Sequence, residues 1–418
     1  MIYTASWLLP MNGPPIQKGQ ILVRDGLIEV IGTDLRKEYP YEPLKDMGDA
    51  ILMPGFVNAH SHIDFSLLKG SKDGKPFKEW LASMTAFLLG CSPDDFYWSG
   101  MLGAAEMIRA GITCIGDSTP FGNSARVISD IGLRGVVYRE TFDHSHRLHE
   151  LADHLADLQE KVSDTVRIGV SPHAIHTSGP EIVRLSERMA AEHDLPFMIH
   201  LAETRNEARS CESYRSPTAY LAELDVLSPN CLVAHCVHCD DEDLAIIAQT
   251  GAAVAHCPRS NCLLGSGIAP LLRMMDAGLR IGLGTDSSAS NFNLSLLDEA
   301  RFALALHRGR KEEPCVISPE TILRMATRGG AEALGLEKVG CLAPGWAADF
   351  IAVRVDDESA LMCYNPYNKL VFGDRAEVVL SVVAGREILS DGKLQTVDES
   401  TLRENVRRSA AGLGGRKE

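Results

Sequence analysis

Two histidines close a short apolar run near the start of the chain, Pro-Gly-Phe-Val-Asn-Ala-His-Ser-His at residues 54–62. In a β-strand, side chains two residues apart point to the same face, so His60 and His62 would present two imidazoles side by side. Neutral imidazole is a favoured ligand for zinc and ferrous iron. Two histidines with ordinary hydrogen bonds at a strand end would show the same spacing, so the rest of the chain has to decide between these interpretations.

The elements that would position this pair recur along the chain. Eight apolar runs, each followed by a helical pattern, lie at residues 56–62, 113–117, 135–140, 166–173, 197–203, 231–235, 252–256 and 280–286. The helical patterns between them include residues 95–110, 148–162, 180–192, 216–224, 240–250 and 269–277. Alternating strands and helices indicate a parallel sheet, and eight such units predict a (β/α)8 barrel of the TIM type.

Polar residues gather at the carboxyl ends of the predicted strands, where active sites of such barrels lie. The set comprises His60, His62, Asp117, Glu140, His173, His200, Glu203, His235, His256 and Asp286. Polar residues without a common role would be scattered over both ends of the barrel. The concentration at one end therefore favours a functional site over isolated histidines.

Within this set, His60 and His62 supply two metal ligands, His200 is the natural third, and Asp286 closes the ring beside the first strand. A divalent ion in such a site lowers the pKa of a water molecule to about 7, and we expect one ion, Zn²⁺ before Fe²⁺. Asp286 can also accept a proton. The fourth predicted strand has no lysine for a bridging carbamate, so a second metal is not expected.

Glu203 and His235 are the predicted catalytic partners of Asp286. Glu203 follows His200 by three residues, which suits a proton shuttle to a substrate nitrogen; a surface carboxylate is the alternative. His235 ends the sixth strand and can hold the attacking water or a developing oxyanion, or it can have only a packing role. Weaker candidates are a structural Cys-x-x-Cys at Cys236 and Cys239, His256 as a brace of the rim, and a loop cluster of His144, His146 and His149.

Composition limits the class of protein. The 418 residues are 45% hydrophobic and 23% charged, and the formal net charge of −15 argues against a nucleic-acid partner. No apolar run approaches the roughly 20 residues of a membrane helix. The eleven cysteines have no framework spacing, and no secretory signal is present, which predicts reduced thiols in the cytoplasm. Residues 1–53 and 340–395 predict a small β-sandwich domain built from both chain ends, around a barrel domain at 54–339 and before a helical tail at 396–418.

The sequence resembles the amidohydrolase superfamily, and within it the aminohydrolase branch. The matching pieces are residues 54–62, His-Leu-Ala-Glu-Thr at 200–204, Ala-His-Cys-Val-His at 234–238, His-Cys-Pro-Arg-Ser-Asn at 256–261, Leu-Gly-Ser-Gly at 264–267 and Gly-Thr-Asp-Ser-Ser-Ala-Ser-Asn at 284–291. The resemblance implies that His60, His62, His200 and Asp286 bind the metal, that Glu203 protonates a ring nitrogen, and that His235 orients the hydrolytic water.

The resemblance also implies substrate contacts and a reaction. His173 matches a residue that contacts a purine-like ring, and Glu79 matches a contact to ribose hydroxyls. We expect Glu79 and Trp80, in a long loop at 69–91, to cover the sugar. The implied reaction is hydrolytic deamination of an adenine-type nucleoside. Ile-Asp-Phe-Ser after His62 favours 6-aminofutalosine, of menaquinone biosynthesis, over S-adenosylhomocysteine or methylthioadenosine.

Two other interpretations stay open from the sequence. The first is a deaminase or chlorohydrolase of another ring, such as guanine, cytosine, a pterin or a triazine. The second is a barrel scaffold that has lost its chemistry, against which the complete set of four ligands and Glu203 argues. In each enzymatic case the partner is a small-molecule substrate, and a homodimer is left open.

Overall fold

The computed structural model describes residues 1–71, 73–142, 148–211, 213–355, 358 and 361–414, with the backbone alone at 148–150 and 414. Its centre is a sheet of eight parallel strands in chain order. These barrel strands are Phe56–Ser61, Ile112–Thr119, Arg134–Thr141, Val166–Pro172, Phe197–Leu201, Cys231–His235, Ala253–His256 and Arg280–Leu283. The Asp286 N–H donates to the His60 carbonyl at 3.0 Å, which brings the end of the eighth strand to the first. The predicted (β/α)8 barrel is confirmed.

Helices cover the barrel, which explains why its strands are continuous apolar runs. Every strand residue is buried except four half-buried arginines: Arg134, Arg139, Arg167 and Arg280. In a parallel barrel the outer face of the strands packs against the connecting helices and the inner face is filled by the strands' own side chains, so both faces are buried. The α-helices of the barrel region are Phe77–Gly90, Pro93–Arg109, Asn123–Ile131, Leu148–Glu160, Ile175–Glu192, Pro217–Glu223, Asp241–Thr250, Pro258–Leu263, Leu271–Asp276, Leu296–Lys311, Pro319–Arg324 and Gly330–Ala333.

Local sequence sets several of the helix boundaries. The Ser92 side chain accepts from the Asp95 N–H while Asp95 accepts from the Ser92 N–H, a capping box that starts the Pro93–Arg109 helix. Asp240 and Asp243 form the same arrangement before Asp241–Thr250. That helix ends at Gly251, whose φ of 74° lies in the left-handed region open to glycine.

The segment predicted as a loop at 69–91 contains the helix Phe77–Gly90. Trp80, Met84 and Leu88 recur at helical spacing and pack in an apolar cluster with Phe65 and Leu68. Pro76 stands at the N-cap of this helix. The segment with Gly and Pro that favoured a loop therefore ends where the helix begins.

Two further sheets come from the chain ends. Ile2–Thr4, Gln20–Arg24, Leu27–Gly32 and Leu44–Asp46 form a four-stranded sheet. A seven-stranded sheet combines Trp7–Leu8, Ile16–Gln17 and Ala50–Pro54 with Phe350–Val355, Ala376–Val383, Arg386–Ser390 and Lys393–Leu394. Ala50–Pro54 pairs antiparallel with Phe350–Val355, so the two ends of the chain meet in one sheet. The domain boundaries at 53/54 and 339/340 stay a prediction.

The last described element is the helix Glu399–Gly414, which packs on Pro93–Arg109. Glu399 pairs with Arg109 at 3.0 Å, and Leu402 is buried in the contact. The helix Glu399–Gly414 is therefore attached to the outside of the barrel.

None of the helices in the described ranges combines the length and the apolar character that crossing a membrane requires.

Candidate metal and catalytic site

The four predicted metal ligands lie together at the carboxyl ends of the first and fifth barrel strands and in the turn after the eighth. The ring nitrogens of His62 and His200 are 3.3 Å apart, Nε2 to Nε2. Asp286 Oδ1 lies 3.6 Å from His60 Nε2 and 3.6 Å from His62 Nε2. One ligand atom from each of His60, His62 and His200 falls within 4.8 Å of the others. The four side chains are close enough to share one ion.

The hydrogen bonds of the imidazoles show that this set fits a cation. His62 Nδ1 is 3.0 Å from the Ser118 carbonyl, and His200 Nδ1 is 2.7 Å from the His173 carbonyl. A carbonyl only accepts, so each Nδ1 carries the proton and each Nε2 is left as a lone pair. Two lone pairs at 3.3 Å repel each other, and a cation between them removes that repulsion.

Burial keeps these histidines in the form that binds metals. It lowers the pKa of His62 to about 3 and also lowers the pKa values of His60 and His200. All three are therefore neutral near pH 7, with a lone pair available. His60 Nε2 is buried and has no hydrogen-bond partner among the described residues. A buried nitrogen of this kind calls for a ligand.

Asp286 is held with one oxygen toward the histidines. Its Oδ2 accepts hydrogen bonds from Ser260 Oγ at 2.5 Å and Ser290 Oγ at 3.1 Å, which leaves Oδ1 for His60 and His62. Burial alone would raise the pKa of Asp286, but the nearby imidazoles of His60, His235 and His62 hold it well below its usual range. Its φ of 56° is left-handed, a strained conformation that is common at functional sites.

His235 and Glu203 face the same space from neighbouring strands. His235 Nδ1 lies 2.9 Å from Asn261 Oδ1, which directs the other ring nitrogen to the site. Although burial lowers the pKa of His235, the nearby Glu203 and Asp286 carboxylates raise it overall. Burial raises the pKa of Glu203, which favours a protonated carboxyl that can donate. His60, His235 and Asp286 also have ligand atoms within 4.8 Å of one another.

A cavity of about 600 Å³ opens above these residues. Its floor includes His62, His200, Glu203, His235 and Asp286, and one wall is formed by apolar side chains of the Phe77–Gly90 helix. A volume of this size suits a nucleoside-sized ligand.

The predicted substrate contacts divide into two groups. Trp80 and His173 line the cavity, and burial lowers the pKa of His173 to about 3, so its ring is neutral. His173 Nδ1 is 2.8 Å from Thr177 Oγ1. Glu79 is exposed and does not line the cavity, because it lies one residue from Trp80 on another face of the same helix. The structure does not place Glu79 at the cavity, so its contact with a ribose stays a prediction.

Among the weaker candidates that the structure describes, His256, Cys236 and Cys239 do not line the cavity. His256 Nε2 is 3.1 Å from His307 Nε2, and His256 does not line the cavity. Cys236 and Cys239 are free and buried. His144 and His146 lie outside the described residues, as does the side chain of His149.

The residues that orient the site were missed in the sequence. Ser260 and Asn261 stand in the quoted piece at 256–261, but only their contacts show that they hold Asp286 and His235. Glu207 accepts hydrogen bonds from two backbone N–H groups beside Glu203 and lines the cavity. Its position four residues after Glu203 was the only signal in the sequence.

Comparisons with known proteins agree with this geometry. The pattern described as "Amidohydrolase family" matches residues 51–394. A 5-methylthioadenosine/S-adenosylhomocysteine deaminase of Nitratidesulfovibrio vulgaris is 35% identical over 94% of this chain and 92% of its own length. One from Syntrophobacter fumaroxidans is 34% identical over 96% and 94%.

Solved structures are similar over nearly the whole chain. An adenosine deaminase from Xanthomonas campestris with bound zinc has a TM-score of 0.91 and 25% identity, over 99% of this chain and 98% of that one. An atrazine chlorohydrolase from Arthrobacter aurescens complexed with zinc has a TM-score of 0.91 at 23% identity, over 98% and 99%. The second likeness, at its lower identity, speaks for the fold alone.

Proposed function

The chain belongs to the amidohydrolase family and is a hydrolase that acts on C–N bonds, and we propose that it removes the exocyclic amine from an adenine-type nucleoside in a metal-dependent, hydrolytic reaction. The observation that carries the proposal is the convergence of His60, His62, His200 and Asp286 beside Glu203 and His235, at the floor of one cavity. Ring hydrolysis needs a nucleophilic water, a proton donor to the ring and a group that steadies the new oxygen, and these side chains supply all three needs.

The proposed metal ligands are His60, His62, His200 and Asp286, and Zn²⁺ is the proposed ion. Three neutral imidazoles and one carboxylate form a donor set that zinc accepts, as ferrous iron does. Zinc is named for the adenosine deaminase of similar structure, which supports the choice. When bound, such an ion would lower the pKa of a water molecule to about 7 and would stabilise negative charge on the oxygen that this water supplies.

The side chains divide the proton transfers between them. Asp286 Oδ1 accepts the proton that the water loses on attack at the amine-bearing carbon. Glu203 gives its proton to the adjacent ring nitrogen, which removes the cost of charge in the ring. His235 donates a hydrogen bond to the oxygen on that carbon. Asp286 then passes its proton to the amine. As the C–N bond breaks and ammonia leaves, the hydroxyl oxygen on that carbon becomes the carbonyl oxygen, and its proton returns to Glu203.

The upper cavity supports a nucleoside with an apolar 5′ substituent, of the methylthioadenosine type. Trp80, Met84 and Leu88 of the Phe77–Gly90 helix form its wall, with Phe65 and Phe142 beside them. The relatives named above act, by their names, on methylthioadenosine and S-adenosylhomocysteine. His173 is the proposed ring contact and Trp80 the proposed cover of the sugar; a Glu79 contact to the ribose requires the helix to turn.

6-Aminofutalosine is the second candidate substrate. Of the run that favoured it, Phe65 lines the cavity, whereas Asp64 is buried against Thr119, with Thr119 Oγ1 at 2.6 Å from Asp64 Oδ2. Only the phenylalanine of that run therefore reaches the substrate space.

The proposal also includes a cytoplasmic location, no nucleic-acid or membrane partner, and a pairing of two copies of the chain.

Ammonia release from a panel of rings tests the proposed function. The panel contains adenosine, methylthioadenosine, S-adenosylhomocysteine, aminofutalosine, guanine, cytosine and a pterin, with chloride release measured from a chlorotriazine. We expect methylthioadenosine to have the highest kcat/KM. A preference for guanine, cytosine, the pterin or the triazine would overturn the substrate class, and a protein that neither carries nor takes up metal would favour an inactive scaffold.

Glu203→Gln tests the proposed proton donor. The amide cannot deliver a proton to the ring nitrogen, so we expect kcat/KM to fall by about 10²–10⁴-fold, the range of general acid catalysis. Metal content, measured by mass spectrometry, should be unchanged because Glu203 is not a proposed ligand. Glu223→Gln changes an exposed carboxylate and serves as the control. Full deaminase activity in Glu203→Gln would remove the assigned role.

A further inference from the structure

A second glutamate lies directly behind the proposed proton donor. Glu207 is only 2% exposed and begins the short 3₁₀ helix Glu207–Cys211. Its Oε1 accepts the Ala202 N–H at 2.9 Å, and its Oε2 accepts the Glu203 N–H at 3.0 Å. Both carboxylate oxygens are thus engaged by consecutive backbone groups of the turn that carries Glu203.

That turn is a conformation that needs support. Ala202 has a φ of 50°, in the left-handed region where a residue with a Cβ costs roughly 1–2 kcal/mol. The turn follows barrel strand five at once, so the chain bends between His200, a proposed metal ligand, and Glu203. The Glu207 N–H donates to the Thr204 carbonyl at 3.1 Å and closes the same short segment on itself.

The two hydrogen bonds fix the backbone of Glu203 and therefore the direction in which its side chain leaves the chain. A carboxyl group whose two oxygens accept from both N–H groups fixes the orientation of two consecutive peptide planes. The Glu203 carboxyl itself has one weak contact in the described structure, from Ser266 Oγ at 3.5 Å. The direction of its side chain therefore depends mainly on the backbone that Glu207 holds.

We propose that Glu207 is the positioning residue of the reaction, which holds the Ala202–Glu203 turn so that the Glu203 carboxyl points at the substrate's ring nitrogen. The inference rests on the proposed function, because it assigns Glu207 a task only if Glu203 donates a proton. Glu207 does not transfer a proton in this proposal, since both of its oxygens are occupied by backbone donors.

A double-mutant cycle separates positioning from a merely structural role. Glu207→Ala and Glu207→Gln are each made in the wild-type chain and in Glu203→Gln, and kcat and KM are measured with methylthioadenosine. Slow variants are measured in single turnovers with excess enzyme. We expect Glu207→Ala to lower kcat about 10²-fold, the effect of a misplacement near 1 Å, with KM changed little. In Glu203→Gln the same change should lower kcat less than about 3-fold, since nothing is left to position.

Glu207→Gln keeps the shape and one acceptor, so its loss of kcat should lie between wild type and Glu207→Ala. This variant carries the cycle alone if Glu207→Ala does not fold. Metal content and Tm are measured for each variant. Asp243→Ala is the matched control, because Asp243 is 1% exposed, accepts the Asp240 N–H at 3.1 Å and does not line the cavity. It should lower Tm and leave kcat/KM unchanged.

The outcomes separate the two proposals. An equal loss of kcat for the Glu207 variants in both backgrounds overturns positioning and indicates a structural role. Full activity of the Glu207 variants overturns it as well. If Glu203→Gln itself is fully active, or no nucleoside is deaminated, the proposed function fails instead.

Discussion

At the scale of single residues, the site combines ionisable groups whose environments shift their pKa values in opposite directions. Burial makes His62 and His173 neutral, with pKa values of about 3. The same burial raises the pKa of Glu203, while Asp286 beside the histidines stays ionised. Pairs of carboxyl groups with separated pKa values allow one to donate and the other to accept. Glu203 and Asp286 form such a pair within one cavity.

Glu140 gives a pH dependence that can be measured. Burial raises its pKa to about 8, although Arg139 opposes the shift, and in an unfolded chain a glutamate titrates near 4.3. The folded state therefore binds the proton of Glu140 more tightly than the unfolded state. The contribution of this protonation to the stability of the fold is complete below about pH 4 and is lost as the pH rises through 8. Glu140→Gln cannot titrate, so we expect its free energy of unfolding to fall less steeply between pH 5 and 8 than that of wild type, by up to about 1.4 kcal/mol per pH unit.

Urea unfolding of the metal-free proteins at several pH values measures this difference. Metal is removed because a nearby cation would favour the charged carboxylate. Glu223→Gln, which changes an exposed glutamate, should keep the slope of wild type. Parallel slopes for Glu140→Gln and wild type would contradict the raised pKa.

At the scale of elements, a buried ion pair braces the turn that carries Asp286. Arg259 Nε lies 2.7 Å from Glu299 Oε1, and the two residues are 3% and 0% exposed. Glu299 Oε1 also accepts from Asn291 Nδ2 at 2.6 Å, and Asn291 Nδ2 donates to the Thr285 carbonyl at 2.7 Å. The helices Pro258–Leu263 and Leu296–Lys311 are thereby connected to the residue beside Asp286.

Removing one partner of this pair should cost much stability. Glu299→Ala leaves the buried Arg259 guanidinium without its carboxylate, and we expect the free energy of unfolding to fall by about 3–5 kcal/mol. Equilibrium urea unfolding gives the value. Glu320→Ala is the control, because its pair with Arg324 is exposed and should contribute less than about 1 kcal/mol. Similar losses for the two variants would show that burial does not decide the contribution.

At the scale of the whole molecule, one ion pair connects the barrel with the sheet built from the chain ends. Arg134, at the start of barrel strand three, places Nε 2.5 Å from Asp349 Oδ2. Asp349 Oδ1 accepts the Ala384 N–H at 2.7 Å, next to the strand Ala376–Val383. The connection lies at the amino ends of the barrel strands, opposite the cavity, which matches the usual division of such barrels into a stabilising and a catalytic face.

Arg134→Met tests that division. The variant keeps an apolar stem but leaves Asp349, 2% exposed, without its cation, so we expect the free energy of unfolding to fall by about 3–5 kcal/mol. Its kcat/KM should equal that of wild type at a temperature where both are folded. Arg126→Met breaks the exposed pair with Asp130 and should change neither quantity. A large fall in kcat/KM for Arg134→Met would show that the end sheet influences the catalytic face.

The sequence by itself determined the barrel and the composition of the candidate metal site. Continuous apolar runs identify buried parallel strands, and period two places His60 and His62 on one face, because both signals are local. The pieces around His200 and Asp286 mark the ends of two other strands in the same way. Their convergence follows once eight strands close into a ring.

Only the tertiary structure decided how those groups are held and which residues line the cavity. Glu207, Asn261 and Ser260 act through contacts across turns and between strands, and no spacing rule predicts such contacts. Glu79 and Trp80 are neighbours in the chain, yet the unpredicted helix Phe77–Gly90 places only Trp80 at the cavity. The physical reason is that a side chain's direction depends on the backbone angles and packing of its element, which distant parts of the chain determine.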